Sequence, residues 1–484
     1  MSFRSPFATA SVERAELKCT SETVNNSTIR NPPVMRLKQP SICDPEVRQY
    51  SGYLDMEDKH IFFWYFGSRK RLNPKFNLAA DKVPLVFWFS GGPGCSSQIA
   101  NWQENGPCMY RNPYAWNNVA DIVFIDQPVG AGFSYGKMPS STEASADTAW
   151  RTMQAVYSLL SADARKNNEA PISDVHIFGE SYAGRYIPVF SEYLLHMNDQ
   201  ITQSADLQSR GYLHLPLRGI GVGNGMFDYQ LQTSSYYTMG CRSNYPPLFS
   251  AKQCTVLKSV INPTCSAMMS RCYGDKGLVQ SAEGMRTGDC IRLEPEQWRL
   301  TDECAEADSY CNGALNWTTL ISTYDVRPNA RMVPDDYVKY LQSTQFVDTV
   351  GAASNIEFTE CSDAVFDIFA STTDEMSKSA KSSLEYILER NVPVLLYNGD
   401  ADFICNWHGT MAVARALNWH GSDRFLQSAM TEWTWPATNG GGEYVSVDNF
   451  TFLRIYEAGH EVPFYQPQAA LHMLSQFLAN KKLS

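Results

Sequence analysis

The run Gly179-Glu180-Ser181-Tyr182-Ala183-Gly184 sets a serine among small residues. An apolar, strand-like segment, Val175 to Phe178, precedes it, and a helix-like segment, Arg185 to Leu195, follows. That is the setting of a nucleophile elbow, in which a tight strand-to-helix turn holds a Ser hydroxyl clear of the backbone. The helix N-terminus beside it favours developing negative charge. A hydroxyl is a weak nucleophile at neutral pH, so it needs an adjacent base, and that base needs a carboxylate to orient it. In a parallel sheet the partners are expected in the order acid, then His, each at the C-terminal end of a strand. Two later runs end that way. Val392 to Tyr397 leads into Asn398-Gly399-Asp400-Ala401-Asp402, and Thr451 to Tyr456 leads into Glu457-Ala458-Gly459-His460. With only 8 His in the chain, a His at that place is informative. Position alone does not separate Asp400 from Asp402. A tetrahedral oxyanion needs two N–H donors. The Tyr182 amide, just after the nucleophile, is one candidate. Gly92, in the Gly-rich loop after an apolar run at 83–89, is the other, because a backbone without Cβ can approach a substrate closely.

The elements that would position these residues follow from the same patterning. Apolar runs at 83–89, 121–125, 175–178, 217–222, 392–397 and 451–456 read as buried strands, with helical spacing at 144–160 and 467–478. Residues 51–55 and 60–66 flank a polar turn and read as a β-hairpin. The alternation predicts an α/β fold, a mostly parallel central sheet with helices on both faces. It breaks after about Asp228 and resumes near 385. The expected organisation is therefore an N-terminal arm at 1–48, a core at 49–228 and 385–484, and an inserted, disulfide-bearing cap at 229–384. The Gly219-to-Gly225 stretch lacks a Lys and a phosphate-loop spacing, and reads as a tight turn.

Bulk properties narrow the class. At 484 residues the chain exceeds one compact core. A net charge of −11 argues against a nucleic-acid partner. No apolar run approaches the roughly 20 residues of a membrane span. The 13 Cys, most of them between Cys241 and Cys361, and four glycosylation sequons, at Asn25, Asn26, Asn316 and Asn449, favour a secretory or vacuolar setting. The start of the chain lacks a signal-peptide core, so a signal segment is read as removed. The Cys spacings do not fit a zinc site, and neither metal nor cofactor is implied. Oligomeric state is not legible.

As a set, several further motifs are specific. They include Gly91-Gly92-Pro93-Gly94-Cys95-Ser96-Ser97, Gln103-Glu104-Asn105-Gly106-Pro107, Asp126-Gln127-Pro128-Val129-Gly130-Ala131-Gly132-Phe133-Ser134, the Ser181 run, Asn398 to Asn406, and Ala458-Gly459-His460-Glu461-Val462-Pro463. With them the chain resembles the serine carboxypeptidases of the carboxypeptidase Y type, especially the secreted fungal branch, from about Tyr50 to the C-terminus. The resemblance implies an α/β-hydrolase fold and release of C-terminal residues from peptides, in acid, through a Ser181 acyl-enzyme. Asp402, by its match before Phe-Ile-Cys-Asn, would be the triad acid, with His460 the base and Gly92 and Tyr182 the oxyanion hole. Glu104 and Glu180 would form a carboxyl pair that, protonated, binds the substrate carboxylate, helped by Ser90 and Gly91. Cys405 would be a free thiol near the site, Glu461 would face the leaving residue's side chain, and Cys95 would pair with Cys361. One departure matters: Ser90 stands where the family usually has Asn. An amide donor becomes a shorter hydroxyl. An acyltransferase using the same acyl-enzyme with an amine or alcohol acceptor is thus a second reading, and an inactive binding module a third.

Overall fold

The computed structural model describes residues 33–108, 112–274, 304, 306, 307, 309–311, 322–375, 378–435 and 441–481. The expected strands form, each within two residues of its predicted bounds. The sheet contains β1 (Val34–Lys38), β2 (Gln49–Met56), β3 (Lys59–Phe66), β4 (Leu85–Phe89), β5 (Asp121–Ile125), β6 (Tyr135–Gly136), β7 (Val175–Glu180) and β8 (Leu217–Gly223). It is completed by β9 (Val394–Gly399), β10 (Thr431–Thr434), β11 (Gly441–Val447) and β12 (Phe450–Ile455). Their order is β1-β2-β3-β5-β4-β7-β8-β9-β12-β11-β10, with β6 paired to β3. The neighbours from β5 through β12 run parallel, and antiparallel ribbons close both edges. This is the α/β-hydrolase arrangement.

The apolar run of β4 explains why the centre is parallel. Leu85, Phe87 and Phe89 face one core and Val86 and Trp88 face the other, all fully buried. A strand covered on both faces needs an apolar residue at every position. The helices α1 (Gln98–Gln103), α2 (Thr142–Lys166) and α3 (Ala183–Gln203) lie in the core half of the chain. α2 and α3 pack side by side on the Phe87 face, and the closing helix Pro467–Leu478 packs on the Trp88 face. Ser141 caps α2, its hydroxyl accepting from Ala144 N at 3.1 Å.

Two parts of the expected organisation show added detail. In the arm, Val34–Lys38 forms an edge strand on β2, and Cys43 bonds Cys108. That strand is exposed along most of its length, so it carries no burial alternation to read. Gly52 admits it, since a Cβ there would stand 2.0 Å from Arg36 O. The expected insertion at 229–384 also divides in two. Tyr236, Met239 and Phe249 gather with Phe403 in a small separate core. Tyr337, Leu341, Phe346 and Phe358 join the main core beside Trp64 and Phe133.

Five disulfides occur among the described residues: Cys43–Cys108, Cys95–Cys361, Cys241–Cys254, Cys265–Cys311 and Cys272–Cys304. Cys405 is a buried free thiol. The Cys95–Cys361 bond is flanked by backbone bonds from Ser96 N to Glu360 O at 2.7 Å and from Ser362 N to Gly94 O at 3.0 Å. It therefore pins the end of the insertion to the Gly-rich loop. Replacing both residues, Cys95→Ser with Cys361→Ser, is expected to cost about 2–5 kcal/mol of stability. Denaturant unfolding checks the loss, and non-reducing peptide mapping checks the pairing.

Candidate active site

Four neighbouring strands end at the site. β7 runs into Ser181, whose φ of 66° is the left-handed turn conformation that an elbow requires. Its carbonyl accepts from Gly184 N and Met226 N, both at 2.9 Å, and its N–H donates to Gly223 O at 3.1 Å. The backbone is thus held on three sides. Small residues are obligatory around it. A Cβ on Gly179 would stand 2.1 Å from Phe89 O, and one on Gly184 would stand 2.6 Å from Met226 O. The first small residue after Ser181 is Ala183, two positions on, and the glycine comes one residue later.

The Gly-rich loop after β4 lies over this turn. A Cβ on Gly91 would stand 2.3 Å from the Tyr182 nitrogen and 2.8 Å from Ser181 Cβ, so that position admits only glycine. Gly92 has φ 111°, which a side chain would strain. The loop is tied from below by Asp126, whose Oδ1 accepts from Ser96 Oγ at 2.6 Å and from Ser97 N at 3.0 Å. The Tyr182 hydroxyl is anchored too, donating to Asp374 at 2.7 Å.

β9 and β12 lead to the candidate acid and base. His460 Nδ1 lies 2.8 Å from Asp402 Oδ2, and both residues are buried. Asp402 also accepts from Ile404 N at 3.1 Å, Cys405 N at 3.2 Å and Asn224 Nδ2 at 2.8 Å. Asp400 goes elsewhere, to Tyr245 Oη at 2.6 Å, Glu457 N at 3.0 Å and Arg454 Nη2 at 3.1 Å. Geometry thus separates the two carboxylates that position in the sequence left equivalent. Burial works against a charged imidazolium, yet the Asp402 carboxylate outweighs it, and the His460 pKa lies above its ordinary value. Burial, followed by the Asp402 charge, pushes the Cys405 thiol well up. Donor atoms of Asp402, Cys405 and His460 lie within 4.8 Å of one another, the one such group among the described residues. Asp402 and His460 already direct theirs at each other.

Across the pocket sit three carboxyls. Glu104 and Glu180 are buried and share a side-chain hydrogen bond. Burial, then the charge of Glu461, pushes Glu104 up to about 8. Burial, then Glu104 and Glu461, holds Glu180 well above the usual carboxylate range. Glu461 is also raised, chiefly by burial. One oxygen each of Glu104, Glu180 and Glu461 is buried without a protein partner. A buried carboxyl, when protonated, presents an O–H donor to an anion. Ser90 is also buried, its Oγ accepting from Trp88 Nε1 at 3.1 Å. That bond leaves the Ser90 O–H available to donate.

Three contributors were not legible beforehand. Asn224 sits in the turn after β8, with φ 40°, and both supports Asp402 and accepts from Gly399 N at 2.9 Å. Its Gly-Asn-Gly setting was the only signal. Trp88 orients Ser90 from within an apolar strand, where nothing marks a polar role. Tyr324, from the insertion, accepts His460 N at its carbonyl, at 2.8 Å. Of the sequons, Asn25, Asn26 and Asn316 lie outside the described residues. Asn449 donates from Nδ2 to Leu388 O at 2.9 Å and Val392 O at 3.0 Å. A glycan on that nitrogen would replace a hydrogen already in use, so the geometry opposes modification there.

A sequence profile described as serine carboxypeptidase matches residues 39–480. The chain belongs to the serine carboxypeptidase family. It is 33% identical over 468 residues to carboxypeptidase S1 of Penicillium janthinellum, covering 93% of this chain and 99% of that one. It is 32% identical to carboxypeptidase Y of Schizosaccharomyces pombe over 91% of this chain, and it spans 42% of that relative's length. Among solved structures, Kex1(delta)p, a prohormone-processing carboxypeptidase from Saccharomyces cerevisiae, superposes with a TM-score of 0.63 at 22% identity, over 92% of this chain and 94% of that one. As a serine carboxypeptidase the chain is a hydrolase of peptides.

The raised Glu104 carboxyl has a consequence for stability. Its folded pKa, about 8, exceeds the unfolded value, so the folded state binds more protons between the two. The associated stability is fully present below the unfolded pKa, roughly 4.3, and is lost as pH rises through the folded one. Glu104→Gln is therefore expected to flatten the decline of the unfolding midpoint with pH across that window. Denaturation at a series of pH values checks it.

Proposed function

We propose that this chain removes single C-terminal residues from peptides through a Ser181 acyl-enzyme. Ser181 attacks the last peptide carbonyl. His460 takes the Ser181 proton as base and returns it to the leaving amine, while Asp402 holds the imidazole in the required tautomer. The Gly92 and Tyr182 amides receive the oxyanion. Water then hydrolyses the ester by the reverse proton path. The observation that carries this reading is the 2.8 Å His460–Asp402 contact beside an elbow Ser whose backbone is fixed on three sides.

Exopeptidase selectivity is assigned to the carboxyl pair. A free C-terminal carboxylate can accept hydrogen bonds from protonated Glu104 or Glu180 and from Ser90 O–H, with Gly91 in the same loop. An ionised pair would repel it. Glu461, with a buried free oxygen near His460, faces the leaving residue, and Cys405 lines the same pocket. Ser90 keeps one hydroxyl donor where Asn would offer an amide, so a carboxylate can still be bound there, and the acyltransferase stands as the alternative. The five disulfides fit an oxidising compartment, and we place the enzyme in the secretory pathway, secreted or vacuolar. No helix among the described residues is long and apolar enough to cross a membrane.

Ser181→Ala is expected to lower turnover by several orders of magnitude with folding intact, because triad members act as a unit. Single-turnover assays on a blocked dipeptide check it. The carboxyl pair makes a separate prediction. Binding of free-acid peptides should be strong below the Glu104 value, about 8, and weaken as pH rises through it. Acylation by esters needs neutral His460 and should rise with pH through a value above the ordinary imidazole range. The measurement is kcat/KM against pH for a matched peptide acid, amide and ester. Three identical profiles, unchanged by Glu104→Gln, would favour the acyltransferase.

A further inference from the structure

The insertion reaches between the acid and the base. Its segment Thr323–Arg327 is bonded to both loops that carry them. Toward the acid, Thr323 O accepts from Phe403 N at 3.1 Å and Ile404 N at 3.0 Å, and Val326 N donates to Ala401 O at 2.8 Å. Toward the base, Tyr324 O accepts from His460 N at 2.8 Å. The Tyr324 ring stands edge-on to the imidazole, centroids 4.9 Å apart.

Asp325 fixes the shape of that segment. It is buried, and its Oδ1 accepts from Arg327 N at 2.9 Å and Arg327 Nε at 3.0 Å, while Oδ2 accepts from Nη2 at 2.6 Å. Arg327 Nη1 then donates to Glu457 O at 2.8 Å, three residues before His460. The fit is close on the other side as well. A Cβ on Gly459 would stand 2.8 Å from Asp325 Oδ2 and 2.6 Å from Tyr324 O. Asp325 is buried and Arg327 partly exposed, so desolvation of the carboxylate and solvent screening of the guanidinium both limit the net stability of the pair. Fixing one geometry is the use that remains for it.

We propose that Asp325 is a positioning residue for the base: with Arg327 it locks Thr323–Arg327 as a splint that holds the His460 loop against the Asp402 loop. This rests on the triad reading above. A misplacement of 1 Å in a catalytic constellation costs about 100-fold in rate, so a loosened splint registers in turnover before it registers in binding.

It also registers in pH dependence. His460 faces Asp402 and Cys405 from the acid loop, Glu461 beside it, Glu104 and Glu180 across the pocket, and the Tyr324 ring from the splint. Asp402 is the hydrogen-bonded group among these and the main one favouring the charged imidazole. Loosening the splint weakens that bond, so the imidazolium loses its proton more readily. The acid limb of kcat/KM then moves to lower pH while kcat falls. A variant that is only less stable loses active enzyme and leaves the limb in place.

The test measures kcat, KM and the acid limb for a blocked peptide ester on Asp325→Asn and Arg327→Lys, normalised to titrated active sites. Arg327→Lys keeps a cation beside Asp325 without the fork, and carries the test where Asp325→Asn does not fold. Both are expected to lose at least about tenfold in kcat per titrated site, with KM within about twofold, and to shift the limb to lower pH. Parent kcat per site with an unmoved limb in either folded variant overturns the splint. So does a loss accounted for wholly by fewer titratable sites. Failure of the triad reading looks different, since Ser181→Ala would then retain turnover whatever the Asp325 variants do.

Discussion

The hydrogen bond from His460 Nδ1 to Asp402 Oδ2, 2.8 Å long, spans the ends of two strands and sets the demands on the rest of the fold. It can form only if β9 and β12 are parallel neighbours that end at one level. Their register, Asn398 opposite Arg454 and Gly399 opposite Ile455, provides this. The loops beyond then touch backbone to backbone, since a Cβ on Gly399 would stand 2.1 Å from Gly459 O. The strand order β7-β8-β9-β12 extends the logic, delivering Ser181, Asn224, Asp402 and His460 from four successive strand ends. Parallel strands with helical crossovers put every C-terminal end on the same edge, which is where α/β sheets build sites.

Burial favours the neutral form of every titratable group at the site, yet the glutamates end biased toward their neutral form and His460 toward its charged one. It favours the neutral forms of Glu104, Glu180 and Glu461, which suits them as donors to an anionic substrate end. It also favours neutral His460, but Asp402 reverses the sign there. Carboxyls with raised pKa values thus stand near a base biased toward its charged form.

Much of this was legible in the chain because the physics is local. Continuous apolar runs such as Leu85–Phe89 mark strands buried on both faces, and a Ser between a strand and a helix marks the elbow. The candidate Asp and His followed from strand ends alone, while the preference for Asp402 over Asp400 rested on resemblance; of the two, Asp402 is the one that lies against His460. What was not legible depends on distant residues. Val34–Lys38 is an exposed edge strand without alternation. Asn224 looked like a turn residue because its partner, Asp402, lies 178 positions away. Nothing in Tyr324-Asp325-Val326-Arg327 announces a segment seated between two catalytic loops. The insertion was read as one cap because its internal pattern is irregular, while its second half belongs to the main core through Phe346 and Phe358.

The central claim is that Ser181 is the nucleophile of a hydrolase site completed by His460 and Asp402. The most direct measurement is to treat the folded protein with a serine-directed fluorophosphonate and locate the adduct by peptide mass spectrometry. The account predicts stoichiometric phosphonylation of Ser181, slowed strongly in His460→Ala. Absence of an adduct on correctly folded protein, or labelling at another serine at the same rate in the His460 variant, would contradict it.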